Sequence, residues 1–119
     1  MLLHVKFVSV PCLDQDRALA FYTEKLGFRV VSDQPFDEHQ RWIELRIGDA
    51  QTRFVLFTPP GAKPGFFAGA LACDNVEATH RQLSQRGVHF SKAPQKAEWG
   101  EFAIFEDSEG NQFVLSSRS

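Results

Sequence analysis

At 119 residues, with 43% hydrophobic and 24% charged side chains, the chain has room for one ordinary compact domain, or two half-domains sharing a core, and is too apolar to be disordered. A formal charge of −2, with no cluster of Lys and Arg, argues against a nucleic-acid surface. No run reaches the length of a membrane span, and the N-terminus lacks the apolar core and cleavage site of a signal peptide; no membrane partner is expected, and a cytoplasmic location is.

In chain order, His4 to Val10 reads as a strand, with Val8 and Val10 on one face and Val5, Phe7 and Ser9 on the other, ended by Pro11. A helix follows. Asp14 is placed to cap it, Asp16 complements its dipole, and Leu19, Tyr22 and Leu26 with Ala18 make its apolar stripe. Gly27 stands where a left-handed stop is expected. A second strand is predicted from Phe28 to Ser32, then a polar, proline-containing loop over residues 32–40. Arg41 to Ile47 alternates, so Ile43, Leu45 and Ile47 face the helix and Trp42, Glu44 and Arg46 the opposite side. A turn at Gly48-Asp49-Ala50 leads to a fourth strand, Arg53 to Thr58.

The pattern then repeats. Asp74 and Gly87 lie sixty positions after Asp14 and Gly27, and the units close on Phe54-Val55-Leu56 and Phe113-Val114-Leu115. The second unit reads as a small-residue strand from Phe66 to Cys73, a helix with Asp74 and Glu77 as a capping box, and a short strand from Val88 to Ser91. A polar loop is expected from Lys92 to Glu98, then strands over Trp99 to Phe105 and Gln112 to Ser117. The expected organisation is a first βαβββ unit at 1–58, a Pro/Gly linker at 59–65 and a second unit at 66–119. Cys12 and Cys73 end the two leading strands; a disulfide is possible in principle, but two buried, reduced thiols are the expectation.

Two such units define an α+β fold: each four-stranded sheet lays its helix on one face, and the two open faces pair into a curved, cup-shaped mixed sheet where a ligand would sit. The alternative is that the open faces pack on a partner subunit. Here the chain resembles the vicinal oxygen chelate superfamily, which includes glyoxalase I, bleomycin-resistance proteins and extradiol dioxygenases. The resemblance rests on Val8-Ser-Val-Pro, Asp14, Ala18-Leu-Ala-Phe-Tyr, Leu26-Gly-Phe28, Cys73-Asp-Asn-Val and Arg86-Gly-Val88. It is completed by Phe105-Glu-Asp-Ser-Glu-Gly-Asn-Gln-Phe113, which looks like the family's D-P-D-G-N-x-F signature with Ser108 for its proline.

The family's enzymes hold a divalent metal with ligands from the first, fourth, fifth and eighth strands. Carried over, those places hold Phe7, Val55 (or Leu56), Ala68 (or Phe67) and Val114, none of which can ligate a metal. His4, His39, His80 and His89 show no shared ligand spacing. Neither a metal nor another cofactor is therefore expected. By alternation the inward positions are Phe7, Trp42, Glu44, Arg46, Val55, Phe57, Phe102, Ile104 and Val114, with Trp99 and His39 on loops at the rim. Such an aromatic surface with few charges suits a small molecule, stacked on Trp and Phe faces. Glu44 and Glu101 are candidates for pairing with a cationic group, and Arg46 for neutralising Glu44.

Three readings follow. One is a metal-free protein that sequesters a small hydrophobic or aromatic compound, a drug or metabolite, as the bleomycin-resistance branch does. Another is a lyase, isomerase or dioxygenase of the same superfamily with a non-standard site, using Glu44 or His39 as general base. The third is a subunit whose open face serves assembly alone. The resemblance also implies a homodimer.

Overall fold

The computed structural model describes residues 1–118 and divides into two compact units, Met1–Pro64 and one beginning at Gly65. In the first, β1 (Phe7–Val10) leads into α1 (Gln15–Ala20), a π-helical turn (Phe21–Lys25), β2 (Arg29–Pro35), β3 (Arg41–Arg46) and β4 (Arg53–Leu56). The second runs β5 (Phe66–Cys73), α2 (Val76–Gln85), β6 (His89–Ala97), β7 (Gly100–Glu106) and β8 (Gln112–Ser117). The sheets have equivalent orders, β1-β4-β3-β2 and β5-β8-β7-β6. In each the leading strand pairs in parallel with the last, and the other pairs are antiparallel.

Asp14 caps α1 as expected: its backbone is extended and its Oδ1 accepts from the Arg17 amide at 3.0 Å. The rest of the helix departs from the expected stripe. After Ala20 it widens, and the Leu26 amide donates to the Phe21 carbonyl, five residues back, at 3.3 Å. The Thr23 hydroxyl competes for the Leu19 carbonyl at 2.7 Å. The extra residue in the turn brings Phe21 and Tyr22 inward together, so Ala18, Phe21 and Tyr22 are the buried residues while Leu19 and Leu26 are half-buried. Gly27 then stops the helix with φ at 77°.

The second helix corrects the capping assignment. Asn75, not Asp74, is the N-cap, with extended backbone and Oδ1 accepting from the Ala78 amide at 2.8 Å. Asp74 stands outside and pairs with Arg118 Nη1 at 2.8 Å. At the far end the Val88 amide bonds the Leu83 carbonyl and the Gly87 amide the Ser84 carbonyl, both at 3.0 Å, with Gly87 at φ 87°.

Two further expectations are revised. β2 continues through Pro35 and β6 through Pro94 to Ala97, where polar loops were expected. Both are the outer strands of their sheets, so a missing N–H faces away from the ladder, and Pro94 falls in the register irregularity between Lys92 and Gln95. The thiols are not buried as expected: Cys12 and Cys73 are both half-buried, and neither is in a disulfide.

The helix-facing sides make the cores. Val10, Ile43, Leu45, Phe54 and Leu56 are buried in the first unit together with Tyr22, whose ring centroid lies 5.0 Å from that of Phe54 and 5.6 Å from that of Phe28. In the second unit Phe105 stacks on Phe113 at 5.5 Å, and Val76, Leu83 and Val88 are buried beside them. In the Asp107–Asn111 turn, Asp107, Glu109 and Asn111 are buried too. Asp107 Oδ1 accepts from the Glu109 and Asn111 amides and its Oδ2 from Asn111 Nδ2, all at 2.8 Å. Asn111 Oδ1 in turn accepts from the Gly65 amide at 3.1 Å, tying this turn to the start of β5.

Candidate functional site

Alternation on β3 separates a helix-packed side of the sheet from an open one. Ile43 and Leu45 are fully buried on the helix side, so Trp42, Glu44 and Arg46 project from the other. Register adds their neighbours: Glu44 is level with Val55, Val55 with Ser9, and Phe7 with Arg53. The first unit thus gathers Phe7, Trp42, Glu44, Arg46, Val55 and Phe57 on one open face.

Four rings form a connected cluster there. Phe7 meets Trp42 edge-on at 5.2 Å, Trp42 lies 5.0 Å from Phe57, and Phe36 lies 4.7 Å from Phe57 and 6.2 Å from Trp42. Phe36 and Phe7 are 58% and 39% exposed, so this apolar platform is open to solvent, while Val55 is fully buried and serves as its floor. Phe36 was missed in the sequence because Gln34-Pro-Phe-Asp-Glu-His reads as polar loop; an aromatic in that stretch was the only signal. It is held by the hairpin that turns β2 into β3, where the Phe36 and Asp37 amides donate to the Gln40 carbonyl at 3.3 and 3.2 Å.

The charges pair differently from the expectation. Glu44 Oε2 meets Arg53 Nε at 3.2 Å, and its Oε1 accepts from the Trp42 indole N–H at 3.2 Å. Arg46, two residues along the same strand, instead reaches Asp49 across the turn at 3.5 Å. The sequence reading passed over Arg53, although its alternation with Val55 and Phe57 places it on this face. With both oxygens engaged, Glu44 holds the Trp42 ring in place.

Of the other predicted residues, Phe102, Ile104 and Val114 are half-buried on the open side of the second unit, where Ile104 is level with Val114. Trp99, at the β6–β7 turn, is 59% exposed and leans on Phe102 at 5.2 Å. Lys92 Nζ stands 5.8 Å over the Phe102 ring, a contact that extending β6 through the presumed loop makes possible.

His39 lies apart from the ring cluster, on the hairpin loop. The amides of His39 and Gln40 donate to Asp37 Oδ1 at 2.8 and 3.0 Å, and these bonds hold the Asp37 carboxyl below its usual pKa. His39 borders a cleft of about 390 Å³ shared with Cys12, Gln15, Gln40, Thr58 and Pro59. The cleft's amides and hydroxyl are used internally. Gln15 bonds Arg41 and Leu56, Gln40 bonds Thr58, and Thr58 bonds Cys12, all between 2.8 and 3.1 Å.

A metal does not fit. Phe7, Val55 and Val114 offer no oxygen or nitrogen donor, nor does Ala68 on exposed β5 or the Phe67 beside it. No group of three or more His, Cys, Asp or Glu among the described residues is placed to hold one.

The sequence model of the Glyoxalase/Bleomycin resistance protein/Dioxygenase superfamily matches residues 2–115. The chain belongs to this superfamily. Within it, the chain is similar to the uncharacterized protein YetH of Bacillus subtilis (strain 168), 31% identical over 118 residues that cover 97% of this chain and 98% of the relative. Among solved structures, a superfamily member from Sphaerobacter thermophilus DSM 20745 superposes with a TM-score of 0.89, at 31% identity and 98% coverage of both chains. TnmS3, an antibiotic-binding protein from Streptomyces sp. CB03234, superposes with a TM-score of 0.84 at 36% identity, covering 99% of this chain and 98% of that one. The α+β superfamily fold, with its two helices and two unclosed mixed sheets, is thereby established.

Proposed function

We propose that this superfamily member binds a small planar aromatic molecule on the open face of its first unit, without a metal, and sequesters it. The observation that carries the reading is the ring cluster of Phe7, Phe36, Trp42 and Phe57, with Trp42 clamped by Glu44 and two of the phenylalanines open to solvent. The similarity to antibiotic-binding TnmS3 supports it. The absence of donor side chains at the superfamily's metal positions supports a metal-free site, and the engagement of Glu44 weighs against catalysis there. In the second unit, Trp99, Phe102, Ile104 and Val114 offer a further apolar surface of the same kind.

The test is calorimetric titration with naphthamide, a neutral two-ring probe. The wild type binds it saturably, and Trp42→Ala weakens binding by about 30-fold or more, the loss typical of an aromatic anchor. No saturable binding by the wild type, or equal binding by the variant, would overturn the reading.

We further propose a homodimer. Both β1 and β5 are outer strands of their sheets, and Met1, Leu2, Leu3 and Phe66 beside them are exposed apolar residues. Light scattering is expected to return twice the chain mass; a single-chain mass across the micromolar range would rule it out.

A further inference from the structure

We propose that the molecule bound on the first unit's open face is an aromatic acid, whose anionic oxygen is taken by the guanidinium of Arg46. The inference rests on the aromatic-binding reading above and gives that ligand a charge.

Three observations carry it. First, the face holds more cations than anions in reach of one another. Arg46 is in register with Arg29 on β2, and Arg53 shares the face from β4, alternating with Val55. Against these stand Glu44 and Asp49. Glu44 is spent on Arg53 and the Trp42 indole. Asp49 is fully exposed and reaches Arg46 only at 3.5 Å, so water screens most of that attraction.

Secondly, Arg46 Nε is buried and has no hydrogen-bond partner. Buried N–H donors without an acceptor are few in folded proteins, and one in an otherwise well-paired face marks a place where an acceptor is missing. A guanidinium presents Nε and Nη as a fork that matches two oxygens of a carboxylate. An acid binding the exposed end of this side chain, with a turn of the guanidinium that presents Nε, would satisfy the idle donor and replace a weak, solvent-screened partner.

Thirdly, the rings and the guanidinium share one face of the sheet. Trp42 and Arg46 are separated by about 13 Å of strand, four residues at the usual rise. Phe7 spans that interval: its backbone is level with Arg53 while its ring meets Trp42 at 5.2 Å. A ligand stacked on the Phe7–Trp42 pair and extended along β3 would bring an acid group towards the Arg46 guanidinium. A cationic ligand would find Glu44 already neutralised.

The experiment compares naphthoate, naphthamide and naphthylmethylamine, an anion, a neutral isostere and a cation on the same rings. Affinities are measured by calorimetry at neutral pH and low salt. The expected order places naphthoate at least about 10-fold tighter than naphthamide, the yield of one charge-assisted contact. Arg46→Met removes that preference, bringing naphthoate to no tighter than naphthamide, and Arg46→Lys, which keeps the charge but not the Nε fork, retains part of it. Thermal unfolding of each variant confirms that it is folded. Equal binding of acid and amide by the wild type would overturn the proposal while leaving the aromatic site standing. A preference that survives Arg46→Met would overturn the assignment to this residue. Failure of all three probes would remove the aromatic-binding reading itself, and this inference with it.

Discussion

Phe54→Ala is expected to destabilise the first unit by about 3–5 kcal/mol, the range for deleting a buried aromatic ring. Phe54 is only 1% exposed, and its ring touches those of Tyr22 and Phe28 at 5.0 and 5.3 Å. Those two belong to the widened end of the first helix and the residue after its glycine stop, so the Phe54 ring is what joins helix to sheet. No neighbour is placed to fill the space, because Leu45, level with Phe54 on β3, is itself fully buried. Urea unfolding of the intact chain, followed by far-ultraviolet circular dichroism, measures the loss as an earlier midpoint at unchanged slope. A shift worth less than about 1 kcal/mol would show that helix and sheet are joined some other way.

Asp107→Ala is the second large expectation. One carboxylate accepts three hydrogen bonds in a turn where Asp107 and Asn111 are both buried, and Asn111 in turn holds Gly65 at the start of β5. Removing the acceptor leaves buried donors without partners, at a cost of about 3 kcal/mol or more. The loss reaches beyond the turn: amide exchange at Glu109, Asn111 and Gly65 is expected to accelerate together in the variant. Acceleration at Glu109 and Asn111 with Gly65 unchanged would disprove the link to β5. This places the Asp-x-x-Gly-Asn ending in the fold rather than in the binding surface.

What the sequence made legible was whatever local chemistry decides. The Asp14 cap, the glycine stops at Gly27 and Gly87, and the alternation that separates Ile43 and Leu45 from Trp42, Glu44 and Arg46 each depend on a few adjacent residues, and each is seen in the structure. The repeat was legible because both units use the same local signals. Features decided by strand position or register were not. The stretches that hold Pro35 and Pro94 were read as polar loops, whereas an outer strand tolerates both prolines. Asp74 and Asn75 are both good caps, and local sequence does not choose between them; in the fold Asn75 caps the helix and Asp74 pairs with Arg118, 44 positions away. Glu44 was matched with the nearer Arg46 because the diagonal to Arg53 exists only once β3 and β4 are aligned. Phe36 joined the ring cluster for the same reason: only the fold of the β2–β3 hairpin brings it to Phe57.

The parallel pairing of the first and last strands in each unit also sets an order of events during synthesis. Phe7 is level with Arg53 and Phe66 with Gln112, in each case 46 positions apart. Each leading strand must therefore leave the ribosome and wait until nearly the whole unit has followed before its ladder can close. For β1 the wait is harmless, since it is only four residues long. For β5, Phe66-Phe-Ala-Gly-Ala-Leu-Ala-Cys73, it means eight residues without a charge or a proline held extended and unpaired. The nascent second unit is thus the chain's most vulnerable state, and its protection rests on how quickly β8 is delivered.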